Sequence, residues 1–345
     1  VDDLTLLCTS VGNDGFPAVA EAIRDNADGR HVSFVGTDIR ENAPGLFLVD
    51  QAQVVSRRDA PEHVDEIVSL ARDSGADLFL PLSTLDQLFY ARSRDRFSVP
   101  VVTSSVESLE VAVDKHGLYE FLAGVGLSRH LPRFQKIASA SELEDIVRFF
   151  GYPTRRVVFK LDEGAGSQGM RILCADVSPA QRLVDRNNRD VTLEELLTVT
   201  DRLHDWHPSH VAEYLPGAEY SVDVLCRRGE TISAVACKRN ESFYGLATDA
   251  EVVDEDDVVR AAMEIVDAVG LDYIVNVQFR RDEDGVPKLM EINPRVPGTI
   301  GLTVASGVNM PYLALKLALG ERFDVPEPRH GKRILRIWGG IYADA

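Results

Sequence analysis
Toward the C-terminus, Gln278, Glu291 and Asn293 offer side-chain oxygen at a spacing that could hold a hard cation. Gln278 and Glu291 lie in two short apolar runs, residues 273–279 and 286–292, with Asn293 just past the second; the runs are parted by the turn signal Glu283-Asp284-Gly285, and this pattern predicts an antiparallel β-hairpin. Alternation along the second strand puts Glu291 and Asn293 on one face and turns Ile292 into a core. Oxygen ligands fixed on strands suit Mg²⁺, which takes one or two carboxylates, keeps several waters and completes its shell with phosphate oxygens. Arg295, two residues beyond Asn293, adds a guanidinium able to grip a phosphoryl group through two parallel hydrogen bonds. The chemistry implied is phosphoryl transfer from a nucleotide.

A second cluster lies upstream. Lys160 is the lone charge in the apolar run 157–161, and a charge in a buried strand is costly unless it meets an anion, so Lys160 wants a phosphate. The loop after it contains Gly164, Gly166, Ser167, Gln168 and Gly169, whose mostly small side chains let backbone N–H groups approach the same phosphates. It is not a Walker A loop, because the Gly-Lys-Ser/Thr ending and the following helix are missing. A plain glycine-rich hairpin turn is the competing reading of the loop by itself. A third segment, 211–224, reads as a strand, a Pro216-Gly217 turn and a second, alternating strand.

Taken in order, Lys160 with its glycine loop, Glu213-Tyr214-Leu215-Pro216-Gly217-Ala218-Glu219, and Glu291-Ile292-Asn293-Pro294-Arg295 preceded by Gln278 resemble the ATP-grasp superfamily, closest to its carbamoyl-phosphate-synthetase-like and carboxylate-amine ligase branch. The resemblance implies an ATP-grasp fold, α/β overall with an α+β nucleotide clasp, behind an N-terminal open parallel-sheet domain. It implies three units: 1–112, 113–210 with the glycine-rich lid, and 211–345 with the metal-binding hairpin. It further implies that backbone groups around Glu213, Tyr214 and Leu215 meet the adenine edge, that Glu219 accepts from ribose hydroxyls, and that Lys115 supplies a further basic group to the nucleotide. Arg239 stands where related enzymes place a basic residue against the reacting carboxyl group, with Lys238 as a weaker candidate beside it and a flexible loop following through Gly245. Mg²⁺, with Mn²⁺ as a substitute, would be held by Gln278, Glu291 and Asn293. In isolation, Glu213 and Glu219 read by default as solvent-facing strand carboxylates, and Lys115 reads equally as a solvated helix-start lysine.

The elements that must position these groups are also legible. Strand and helix signals alternate through the first hundred residues: strands at 4–9, 31–36, 53–56, 78–81 and 99–103, helices at 17–26, 61–74 and 84–92. Such alternation predicts an open parallel sheet with Gly12, Gly15, Pro81, Ser83, Thr84 and Asp86 along its carboxyl edge. Gly12 and Gly15 lack the three-glycine spacing of a dinucleotide fingerprint and read as turn formers. Helices are expected at 114–124, 141–150 and 309–319, and strands at 234–238 and 334–338. The polar stretch 178–210, with His204, His207 and His210, departs from the family pattern and reads as a loop-plus-helix insertion.

Composition narrows the class. The 345 residues, 45% hydrophobic, can build two or three cored domains, and the net charge of −18 repels nucleic acid and anionic membranes. Cys8, Cys174, Cys226 and Cys237 stand singly in apolar runs, as buried thiols of a reducing compartment do. No run of about 18 apolar residues and no leader pattern is found, so a cytoplasmic protein without a membrane span is expected. The expected function is that of an ATP-dependent ligase: a substrate carboxylate is phosphorylated, an amine of an amino acid or peptide attacks the acyl phosphate, and ADP and phosphate leave. Expected partners are a small-molecule carboxylate and amine, with a homodimer as the assembly to examine. The alternatives are a bicarbonate-activating carboxylase or carbamoyl-phosphate-type enzyme, and a non-catalytic nucleotide-binding module.

Overall fold
The computed structural model describes residues 2–161, 169–184, 189–200, 206–243, 245–337 and 339–342. Three sheets organise them. The first is parallel: β1 (Leu4–Thr9), β2 (Val32–Asp38), β3 (Gln51–Val54) and β4 (Leu78–Pro81), in the order β3-β2-β1-β4. Strands β1, β2 and β4 are short apolar runs covered on both faces, as parallel strands require, whereas β3 is an exposed edge strand. One face packs on helix Phe16–Arg24 and the C-terminal helix Met310–Leu319, the other on helices His63–Asp73 and Thr84–Arg92. The fifth strand expected at 99–103 is reduced to a single bridge between Phe79 and Val101. Helix Val106–Val113, which the residue pattern had not suggested, follows under a Ser105 cap.

The second sheet contains β5 (Phe134–Ile137), β6 (Val157–Leu161), β7 (Arg171–Leu173), β8 (Asp190–Val191) and β9 (Ser209–Glu213), in the order β5-β9-β6-β7-β8. Helices Ala140–Phe149 and Leu193–Thr200 cover its apolar face. Strand β9 crosses the expected boundary at 210/211 and pairs with β6 and β5. The stretch 178–210 is thus more than an insertion. Its described part holds two helices and β8, and its last residues, His210 included, are in β9.

The third sheet is formed by β10 (Glu219–Arg227), β11 (Glu230–Phe243), β12 (Leu246–Val252), β13 (Tyr273–Arg281), β14 (Pro287–Asn293) and β15 (Arg333–Leu335), in the order β14-β13-β10-β11-β12-β15. Tyr220, Val222, Val224, Val275, Val277, Phe279, Leu289 and Ile292 point to one side and join helices Asp256–Val269 and Lys115–Gly124 in a core. The alternate residues form the other face. Strand β11 is longer than expected: residues 239–243, read as a flexible loop, continue the strand into a hairpin with β12. The C-terminal strand is only Arg333–Leu335, on the edge beside β12, and Trp338 lies outside the described residues.

Helix Lys115–Gly124 ties the second and third sheets together. Asp114 caps it by accepting from the backbone N–H groups of His116 (3.2 Å) and Gly117 (2.9 Å). One turn later Tyr119 packs edge-on against Phe134 of β5 and donates its hydroxyl to the carbonyls of Leu289 (2.9 Å) and Met290 (3.2 Å) in β14. Tyr119 is buried, so removing the hydroxyl leaves buried acceptors short of a donor. Tyr119→Phe should lower unfolding stability by about 1–2 kcal/mol in a denaturant titration. A change within about 0.3 kcal/mol would mean that this link does not fasten the hairpin.

Candidate functional site
Three strands of the third sheet set the polar face. In the register of β10 with β13, Glu219 lies opposite Arg280, Ser221 opposite Gln278, and Asp223 opposite Asn276. In β13 with β14, Gln278 lies opposite Glu291 and Asn276 opposite Asn293. A register shift between Gln278 and Phe279 marks a bulge beside this pair. The expected hairpin is therefore present, with Gln278, Glu291 and Asn293 on one face and Ile292 in the opposite core.

The orientation of the amides is set from below. Asp223, 1% exposed, accepts from Thr303 Oγ1 (2.6 Å) and Asn276 Nδ2 (2.7 Å). Asn276 then accepts from Gln278 Nε2 (3.1 Å), and Asn293 Nδ2 donates to Glu291 Oε1 (3.0 Å). Both amides spend their nitrogen on a protein acceptor, so their oxygens lie on the side away from it. With the second oxygen of Glu291 this is a hard, all-oxygen donor set, and it fits Mg²⁺. No group of three or more His, Cys, Asp or Glu gathers among the described residues. A cation here would rest on one carboxylate and two amides, which leaves room in its shell for phosphate oxygens and water.

Cations approach from both sheets. In β6, Val157 and Phe159 enter the core of the second sheet, so Lys160 takes the opposite face, across from His210 of β9. Burial lowers the Lys160 pKa, Glu291 raises it, and Lys115 lowers it again, which brings these three residues into one electrostatic neighbourhood. Arg295 leaves β14 with its N–H on the Asn293 carbonyl (2.8 Å). Burial depresses its pKa as well, while Glu291 and Asp223 oppose the shift. Burial pushes the Asp223 carboxyl up, and Thr303, Asn276, Arg295 and Arg239 hold it back. Lys115, Lys160 and the Glu291–Arg295 segment, far apart in sequence, thus share one electrostatic neighbourhood.

The segment between β9 and β10 joins the second and third sheets. The Glu213 carboxylate is engaged with Arg133, accepting from its backbone N–H (2.9 Å) and Nε (3.0 Å). The Tyr214 ring lies beneath the guanidinium groups of Arg156 (5.5 Å) and Arg280 (5.9 Å), and Leu215 is buried. Gly217 has a steric reason: a Cβ there would meet Arg281 Cβ at 2.7 Å and the Arg281 carbonyl oxygen at 2.8 Å. Glu219 is paired with Arg239 across β10 and β11, Nε to Oε1 3.2 Å, so two residues expected to serve different parts of the nucleotide and substrate touch. Arg239 also donates to the Gly245 carbonyl (2.6 Å) and Ser242 Oγ (3.1 Å). Lys238 faces the opposite side of the sheet, as the register with Tyr220 requires.

Of the lid, Gly164, Gly166, Ser167 and Gln168 lie outside the described residues. Gly169, at φ +73°, closes the loop through its carbonyl, which accepts from Leu161 N–H (3.3 Å). At the edge of the first sheet, Asp86 is a latch: it accepts from Thr9 (3.0 Å) and Ser10 (2.6 Å) and pairs with Arg58 (3.2 Å). Gly15 allows close packing between domains, since a Cβ would sit 3.1 Å from the Pro297 carbonyl oxygen. Asp223, Asn276 and Thr303 had not been singled out from sequence. The alternations Glu219, Ser221, Asp223 and Asn276, Gln278 were the available signal.

Residues 206–338 match the family model described as ATP-grasp in the biosynthetic pathway with Ter operon. Over 287 residues the chain is 25% identical to the N-terminal section of a carbamoyl phosphate synthase large chain from Methanopyrus kandleri, covering 79% of this chain and 46% of that protein. The chain thus spans about half the length of this curated relative. An N5-carboxyaminoimidazole synthetase from Staphylococcus aureus complexed with ADP superposes with a TM-score of 0.69 at 12% identity, over 94% of this chain and 80% of that one. An L-amino acid ligase from Bacillus licheniformis superposes with a TM-score of 0.66 at 18% identity, over 92% and 74%.

A partly buried ammonium without a close anionic partner weakens the fold that carries it. Lys160→Met should leave the melting temperature unchanged or raised, while calorimetry should register at least about a tenfold loss of affinity for Mg·ATP. Unchanged affinity with a lowered melting temperature would make Lys160 a structural residue.

Proposed function
We propose, from the premise that this chain has the ATP-grasp fold, that it is an ATP-dependent ligase joining a carboxylate to an amine of an amino acid or peptide. The observation that carries the reading is the convergence of Lys160 and Lys115 from one side, and Arg295 with the Gln278, Glu291 and Asn293 oxygens from the other, around one site. In this reading the triphosphate lies against Lys160, Lys115 and the lid that ends at Gly169, and the adenine lies at the Glu213 to Leu215 backbone. Because the Glu213 carboxylate already holds Arg133, its backbone is the part left for a base. Glu219 holds Arg239 and turns a remaining oxygen to a ribose hydroxyl.

The reaction proceeds in two displacements. A carboxylate oxygen of the substrate attacks the γ-phosphorus, the bond to the bridging oxygen breaks, and ADP leaves with that electron pair. The amine nitrogen then attacks the acyl carbon, phosphate leaves with the former carboxylate oxygen, and the amine loses a proton. Mg²⁺ held by Gln278, Glu291 and Asn293 would neutralise phosphate charge. Arg295 and Arg239 flank the acceptor carboxylate; their guanidinium groups meet charge as it spreads over the transferring phosphoryl and acyl groups, where preorganised donors act most strongly. Water competes with the amine for the acyl phosphate, so a closing lid protects the intermediate.

The 25% identical relative, named a carbamoyl phosphate synthase section, supports a second reading in which bicarbonate is the carboxylate activated. Phosphate release screened over amino acids, dipeptides and bicarbonate decides between them. Stimulation by a carboxylate and amine pair supports the ligase; stimulation by bicarbonate alone supports the second reading; nucleotide binding without turnover would reject both.

Arg295→Lys separates the transfer step from nucleotide binding. The lysine keeps the charge and loses the planar fork, so kcat should fall about 100-fold while the KM for ATP stays within about threefold. A loss confined to the KM would make Arg295 a ground-state anchor. Glu291→Ala should leave the fold intact and abolish ADP formation.

A further inference from the structure
We propose that the buried Asp223–Asn276 pair is a positioning device for the divalent-cation site, fixing the Gln278 amide so that its oxygen is presented as a ligand. This inference rests on the proposed function, because it assigns a role to side chains behind the same cation site.

An ionised carboxylate only accepts hydrogen bonds, and Asp223 accepts two short ones, from Thr303 and Asn276. Asn276 must therefore give its nitrogen to Asp223 and keep its oxygen for the next partner. That partner is Gln278, whose nitrogen is drawn to the Asn276 oxygen at 3.1 Å. Polarity set at one acceptor thus passes through two amides and decides which end of Gln278 is available. A reversed Gln278 would offer N–H groups to a cation and repel it. Asp223, Asn276 and Thr303 are all nearly inaccessible, at 1%, 2% and 0% exposure, so none is itself a ligand. Burial works against the Asp223 charge, and the hydrogen bonds from Thr303 and Asn276, with the nearby Arg295 and Arg239, work for it. Outer residues that orient metal ligands commonly change metal affinity by 10–100-fold when removed.

Orientation matters only for a side chain whose two ends differ, and this supplies the test. Mn²⁺ binding is measured by electron paramagnetic resonance in the presence of a non-hydrolysable ATP analogue. Asp223→Ala also removes a counter-charge from two arginines and risks the fold, so the link is cut at Asn276→Ala and Asn276→Ser, with melting temperatures recorded for both. Either variant should weaken Mn²⁺ by about 10-fold or more. Adding Gln278→Glu, which presents oxygen at both ends, should bring the affinity back to within about threefold of the starting protein. Undiminished affinity in both Asn276 variants, or a loss that Gln278→Glu does not repair, would overturn the inference. If the unaltered protein binds no Mn²⁺ with the analogue, the proposed function itself fails; if it binds and the Asn276 variants bind equally well, only the positioning role fails.

Discussion
The site is organised around one carboxylate. Glu291 lies in the field of Lys160 on the second sheet, of Arg295 beyond its own strand, and of Tyr119 on the helix that links the two. Lys115 adds a further positive charge near Lys160. Opposite charges attract far more strongly in a partly dry cleft than in water, and Asp223 joins Glu291 in opposing the charge of Arg295. A chain with net charge −18 thus gathers Lys160, Lys115 and Arg295 in one neighbourhood, where, in the proposed reading, a triphosphate meets them.

Strand alternation lets one sheet carry both this charge and a core. Val222, Val224, Val275, Val277 and Ile292 are buried on one side, and every intervening residue is then obliged to face the cleft. Along β10 that second face changes character within a few residues: Glu219, Ser221 and Asp223 are polar, and Leu225 joins the core shared with the first sheet. Glu219 is tied to Arg239 and Asp223 to Asn276 and Thr303, which limits the cost of burying them and, through Asn276, gives the Gln278 amide a direction. In the proposed reading, a cation site with a single carboxylate gains its specificity from these ties, since the orientation of its amides is imposed from outside the site.

Local signals made the hairpin legible. Two alternating runs around Asp284-Gly285 determine which side chains share a face without knowledge of any other strand, and Lys160 stood out because a lone charge in an apolar strand demands an explanation. The parallel start of the chain was legible for the same reason, through alternating strand and helix periods. What required the fold was register between distant strands. Asp223 meets Asn276, and Glu219 meets Arg239, only because β10 lies between β13 and β11. Nothing within either segment announces that neighbour. His210 had seemed part of a polar insertion, yet it lies near the start of β9, beside Lys160, where pairing outweighed local composition. The strand expected at 99–103 failed in the other direction: its apolar content was sufficient, but the chain makes only one bridge there before turning into a Ser105-capped helix.

The central claim is that metal and triphosphate meet at the β13–β14 hairpin, beneath Lys160. It is tested most directly by a crystal structure with Mn²⁺ and a non-hydrolysable ATP analogue, with the ion located by its anomalous scattering. The account predicts a manganese peak within about 2.0–2.4 Å of oxygens of Glu291 and Asn293, bridged to the phosphates, with Lys160 Nζ on a phosphate oxygen. Manganese or nucleotide bound elsewhere, for instance at the Gly12 and Gly15 loop of the first sheet, with the hairpin oxygens left to water, would contradict it.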